Sequence, residues 1–250
     1  MADKAVSACL HFFHHPQTKV GTVSNPSREE HAARRFIWSN GLQGVGDQIV
    51  AAKTVLPWLL QAAGAPGFFI ALLVPIREAG SMLPQAALTP WVTSQRSRKR
   101  IWVIGSLGQA VAAALIGLAA LLLDALPLAL TVTLLLAVLA VFRALCSIAS
   151  KDVQGRTISK GRRGVITGRA AAVGGAVALA VGLLLEYIGT PIPTWILAAL
   201  IFASAAAWAI AAIVFHTIDE PVSDEEPRGL ERGWWADTWG LFTGDREFRQ

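Results

Sequence analysis

Apolar residues dominate the chain from about Arg35 to His216, in six runs separated by short polar connections. The first run covers about Phe36 to Leu60, the second Gly67 to Leu88 and the third Ile101 to Leu123. The fourth starts near Leu126 and ends between Ile148 and Ile158, the fifth covers Val165 to Ile188, and the sixth Ile192 to Phe215. A stretch of about 20 apolar residues is what a helix needs to cross the hydrocarbon core of a bilayer. The connections, Gln61 to Pro66, Thr89 to Arg100, Asp124 to Ala125 and Gly189 to Pro191, are short enough to force successive helices antiparallel. The pattern predicts an all-α membrane protein with six transmembrane helices.

Charge sets the orientation. Arg96, Arg98, Lys99 and Arg100 lie between the second and third spans, and Arg156, Lys160, Arg162 and Arg163 between the fourth and fifth. The connections on the other side carry no Lys or Arg, only Asp124 with Glu186 nearby. Basic loops stay on the cytoplasmic side. With six spans, both termini are then expected in the cytoplasm, and the chain in the plasma membrane, for a bacterium the inner membrane.

Composition agrees with this division. The 250 residues are 54% hydrophobic and 16% charged. The net charge of +5 belongs to the topology-setting loops, so no nucleic-acid partner is expected. Cys9 lies in a polar tail and Cys146 inside the fourth span, which excludes a disulfide scaffold. Leu10, Phe12 and Phe13 are too short a run for a signal peptide. His11, His14 and His15 lack cysteine or carboxylate partners at ligand spacing, so neither a metal site nor a cofactor is expected. Absence of a glycine-rich lysine loop argues against an ATP-driven device. No histidine falls in spans one to five, which disfavours an intramembrane enzyme.

Three regions follow: a cytoplasmic segment at 1–34, a helical bundle at 35–216, and a second cytoplasmic segment at 217–250. In the last, Leu230, Trp234, Trp235, Trp239, Leu241 and Phe242 recur at steps that place most of them on one helical face. Such a helix suits the membrane interface or the protein's own cytoplasmic surface.

The polar residues inside the spans carry the candidate chemistry, because each ionised group at the bilayer centre costs about 2.5 to 3.5 kcal/mol on insertion scales. Span one carries Asn40, Gln43, Asp47 and Thr54 on one face, with Gly44 and Ala51 beside them. Asp47 lies near mid-depth and reads as a proton or substrate contact, or as half of a structural ion pair. Lys53 lies further out, within snorkelling reach of the outer interface. Span two carries adjacent Arg77 and Glu78, with Ser81 and Gln85 continuing the Arg77 face. Neighbouring helical residues point about 100 degrees apart, so one charge is expected to face a cavity and the other span one or four. Arg77 suits an anionic group, since guanidinium binds carboxylate or phosphate as a fork. Span four adds Arg143 and Ser147, then Ser150, Lys151 and Asp152; a helix reaching Ile158 would bury Lys151 and Asp152 near the cytoplasmic face. Substrate or proton-coupling candidates are therefore Asp47, Arg77, Glu78, Arg143, Gln43 and Gln85. Gly168, Gly175 and Gly182, with Gly164 before them, form a small face on span five that would admit a close neighbour or act as a hinge.

Six spans with a basic loop after the second and another after the fourth resemble the N-terminal half of a major facilitator superfamily transporter. In that family the loop after span two carries a glycine- and arginine-rich motif. Arg98 and Lys99 match it, whereas Ser94 stands at the aspartate and Pro90 and Ser97 at the glycines. Arg143, Ser147 and Ala149 are similar to the family's arginine-then-small pattern in span four, and Arg163-Gly164 to its arginine-glycine at the entry to span five. Gly174-Gly175 lacks the proline of the antiporter motif, so a drug antiporter is not implied. The stretch Pro75 to Ser81 resembles a group of bacterial permeases. The resemblance implies half of a twelve-helix fold and secondary transport of a small solute by alternating access, coupled to protons. It also implies conformational roles for Arg98, Lys99, Arg163 and Gly164. Asp245 to Arg249 looks like the run-up to a seventh span, so a second six-helix bundle or a self-dimer is the expected partner, besides membrane lipid and the solute. The competing reading is a membrane structural or assembly subunit.

Overall fold

A computed structural model describes residues 26–220, with the exception of residues 52, 190 and 191. The histidines at 11, 14 and 15, Cys9, and the Trp-rich segment lie outside the described residues. Seven helices follow one another: α1 (Pro26–Ile49), α2 (Val55–Ala62), α3 (Gly67–Ser94), α4 (Arg98–Leu122), α5 (Ala125–Thr157), α6 (Lys160–Ile188) and α7 (Thr194–His216). Every element is helical among the described residues, and α3 to α7 are each long and apolar enough to cross a membrane. The protein is thus an all-α, multi-pass membrane protein.

The first apolar run differs from expectation. It is not one helix from Phe36 to Leu60 but α1 and α2 with a break between them, and neither piece is a full apolar span. α1 starts at Pro26, ahead of the apolar run, and stops at Ile49. The Thr54 hydroxyl lies 3.0 Å from the Gln48 carbonyl and 3.3 Å from that of Ile49, supplying a donor to the end of α1. A helix end leaves its last carbonyls without partners, and in an apolar setting such a group needs one. A hydroxyl folded back on the end of α1 lets the chain restart as α2.

The fourth run takes the longer of its two expected lengths, since α5 continues to Thr157. α3 contains Pro75, Pro84 and Pro90. Each removes one rung of the hydrogen-bond ladder, which neighbouring helices make tolerable inside a membrane. α6 ends at Gly189, whose φ of 72° is a positive-φ conformation that favours glycine and turns the chain out of the helix.

Counting α1 with α2 as one broken segment, the principal packing pairs are third with sixth, third with fourth, first with fifth, second with fourth, and first with sixth. Advancing every segment by three returns the same set. The packing therefore repeats internally as two groups of three, α1 to α4 and α5 to α7. A step of three also reverses helix direction, so the two groups are inverted copies in their packing plan. The principal pairs form an open arc, α3–α5–α4–α7–α1–α6, whose ends are α3 and α6. Few residues of α3 and α6 are buried, whereas α4 and α7 form the back of the bundle.

Basic and acidic connections sort to opposite ends. At one end Glu29 of α1 meets Ser159 of the α5–α6 connection and Arg162 in the first turn of α6, and Glu220 after α7 meets Ser97 and the backbone N–H groups of Arg98 and Lys99. At the other, the Ala125 N–H donates to the Ala63 carbonyl at 3.0 Å. Between them lie two apolar cores. One is built on Leu56, Leu59, Ile116, Leu136, Leu139 and Trp208. The other, toward the basic end, holds Trp102 stacked on Phe215 at 3.9 Å, with Phe36 against the same ring.

Small residues decide how closely α1 can approach its neighbours. A Cβ on Gly46 would sit 2.5 Å from the Trp208 ring, and one on Gly44 only 3.5 Å from the Gly174 Cα. The expected small face of α6 does not provide this contact: Gly164, Gly168, Gly175 and Gly182 all look into open space. The contacting glycine is Gly174, one residue and hence about 100 degrees around the helix from Gly175.

Candidate functional site

Asp47 lies two residues before the end of α1, where the helix dipole already places partial negative charge. Two guanidinium groups converge on it. Arg77 Nη2 on α3 is 2.9 Å from Asp47 Oδ1, and Arg143 Nη2 on α5 is 2.9 Å from Asp47 Oδ2. One carboxylate thus joins three segments across the open side of the arc. The Asp47 and Arg77 side chains are each 13% exposed, whereas Arg143 is 33% exposed. The cluster carries a formal charge of one positive unit. Arg77 Nη1 is buried without a hydrogen-bond partner, so the site contains a donor with unused capacity.

The remaining candidates divide. Glu78 is exposed and makes no ion pair among the described residues. Its neighbour Arg77 takes the partner on α1, so of the adjacent charges one faces the site and the other faces out. Gln85 donates to the Ser81 carbonyl of its own helix at 2.8 Å and Ser81 to that of Glu78, so both satisfy their polar groups locally. Gln43 is 3% exposed. Its Nε2 donates to Gln109 Oε1 at 3.0 Å, and its carbonyl accepts from Trp208 Nε1 at 3.2 Å. It therefore faces α4 and α7 behind the triad. Lys53 is exposed in the break between α1 and α2.

A buried polar knot backs the site. The Ser106 hydroxyl donates to the Trp208 carbonyl at 2.8 Å, and Gln109 Nε2 lies 3.2 Å from Cys146 Sγ. Sequence reasoning missed Ser106 and Gln109. Their signal was available: two hydrogen-bonding side chains three residues apart inside the apolar run of α4. Toward the basic end, the Ser150 hydroxyl of α5 donates to Asn40 Oδ1 at 3.0 Å, giving a second polar tie between the first and fourth segments.

The conformational candidates lie at that end. Arg98 Nε is 3.0 Å from Asp152 Oδ2 on α5, which also meets Arg156 at 3.1 Å. Lys99 Nζ donates to the Ile218 carbonyl at 2.9 Å. Arg163 donates to the carbonyls of Ile158 and Gly155 at the end of α5, a favourable place for a cation. Lys151 is exposed, against the burial expected of it, because it points away from the Asp152 side of α5. Gly164 touches nothing at its Cβ position. No group of three His, Cys, Asp or Glu side chains is placed to hold a metal ion among the described residues.

Comparison with protein-family models, with curated proteins and with solved structures finds no match to this chain.

Proposed function

We propose that the protein moves a small anionic solute across the membrane by alternating access, with Asp47 as the proton-coupling group. The observation that carries this reading is the ion triad. A single carboxylate on one arm of an open arc holds two arginines from the other arm, and one buried guanidinium nitrogen retains a free donor. An anionic group entering the cleft would compete with Asp47 for Arg77 and Arg143, both suited to forked recognition. Protonation of Asp47 would release the same two arginines. Solute and proton would thus act on one latch between the first, second and fourth segments.

The inverted packing repeat supports this reading, since nested repeats with a binding site near the midplane are a common plan for secondary transporters. In that plan the segment of α1 and α2 crosses the membrane as a sixth, broken span. Both ends of the chain then lie on the cytoplasmic side, with the basic loops. The major facilitator resemblance of the sequence fits the same arrangement. The exposed faces of α3 and α6, at the ends of the arc, are where a second six-helix bundle or another copy would complete the cleft.

A second reading has its own support. Both oxygens of Asp47 are occupied, so the triad also serves as a structural tie in a membrane assembly subunit. Reconstitution of the full chain in vesicles separates the two. Addition of small organic anions should drive saturable proton movement that Asp47→Asn abolishes when equal amounts of folded protein are reconstituted, with crosslinking to count copies. Undiminished flux per folded copy of the variant would remove Asp47 from the coupling, and no flux from any assembled form would favour the structural subunit.

A further inference from the structure

A groove of about 500 Å³ opens on the outer side of the bundle between α1 and α7, away from the ion triad. His31, Arg34, Arg35, Trp38 and Leu42 of α1 line it, facing Ile210 and Val214 of α7. The α1 residues follow steps of three and four, so they form one helical face. Their chemistry changes along the axis. Arg34 and Arg35 come near its start, at the end of the bundle that holds both basic loops. Trp38 follows one turn later and Leu42 another turn on. From Arg34 to Leu42 the rise is about 12 Å, enough to pass from headgroup level into acyl chains.

We infer that this groove binds one anionic phospholipid, with its phosphate at Arg34 and an acyl chain along Trp38, Leu42, Ile210 and Val214. Arg35 already donates to the Thr217 carbonyl and lies 3.7 Å from Asp219. Arg34 has no ion pair among the described residues, Glu30 one turn earlier included. It is therefore the cation with capacity for a phosphate. Trp38 is 61% exposed and Ile210 50% exposed, so the apolar walls face where lipid lies. An indole at headgroup depth is the usual interfacial anchor, and basic recesses between helices on the cytoplasmic side suit anionic headgroups. A second copy fits less well, because a two-fold contact would set each basic lip against its twin.

Native mass spectrometry of the delipidated full chain in detergent tests the site, with phosphatidylglycerol, phosphatidylcholine and inorganic phosphate as probes. One phosphatidylglycerol should be retained in preference to phosphatidylcholine. Arg34→Gln should lower its occupancy about five-fold, while Arg96→Gln, an exposed arginine at the same end but outside the groove, should leave it unchanged. Ile210→Gln, on the opposite wall, should weaken retention with Arg34 intact. Equal retention of the two lipids would overturn the proposal. So would equal losses in the Arg34 and Arg96 variants, displacement by millimolar phosphate alone, or a lipid-free dimer. None of these readouts depends on transport.

Discussion

Asp47 Oδ2 on α1 and Arg143 Nη2 on α5 meet at 2.9 Å, joining the first segment of one inverted group to the first segment of the other. The pair spans the open side of the arc, where direct packing between α1 and α5 is slight. Electrostatics, more than apolar contact, therefore holds the two arms together at this depth.

Removing the carboxylate should expose that dependence. Asp47→Asn leaves two guanidinium groups without their shared partner, and breaking a buried pair costs about 3 to 5 kcal/mol. The upper part of that range is not expected, because Arg143 is a third exposed. The double variant Asp47→Asn/Arg143→Gln should melt above Asp47→Asn alone in a thermal unfolding assay in detergent, since one orphaned cation is gone. A double variant no more stable than the single one would mean that the two residues are not coupled.

Arg77 and Glu78 should separate cleanly despite being neighbours. Arg77→Gln should lower both thermal stability and any reconstituted flux, because its guanidinium holds Asp47. Glu78→Gln should change stability by less than about 0.5 kcal/mol, the usual range for a surface change. A comparable loss in the two variants, followed by detergent-melt midpoints, would show that Glu78 has a partner outside the described residues.

Glycines on α1 and α6 should respond oppositely. Gly46→Ala places a Cβ into the Trp208 ring and should destabilise by about 1 to 3 kcal/mol through overpacking. Gly168→Ala meets nothing and should be neutral or slightly stabilising through helix propensity. Bulky residues at Gly168, Gly175 and Gly182 should leave the isolated fold intact. Their effect on flux would report whether another bundle packs against α6.

Orientation is open to a cysteine accessibility experiment in intact cells, with Cys9 replaced and buried Cys146 retained. Single cysteines at Gln61 and Asp124 should react with an impermeant maleimide from outside, and one at Ser94 should not. The reverse pattern would invert the topology and place the basic end outside.

The sequence alone determined that most of this chain lies in a membrane, where five of its long helices run, and which charges interrupt the apolar runs. Hydropathy is a local sum over about 20 residues, and a buried ion is rare enough to be read against an apolar background. It also singled out Asp47, Arg77 and Arg143 as residues needing partners. What the tertiary structure decided was how they pair, and that Glu78 and Gln85 stand apart. Pairing depends on helix rotation, where one residue changes direction by about 100 degrees. The same sensitivity moved the close helix contact from Gly175 to Gly174. The break at 50–54 was illegible for a different reason: Lys53 and Thr54 are polar positions that a continuous span also tolerates, and the hydrogen bonds of the Thr54 hydroxyl to the end of α1 exist only once the chain has folded back.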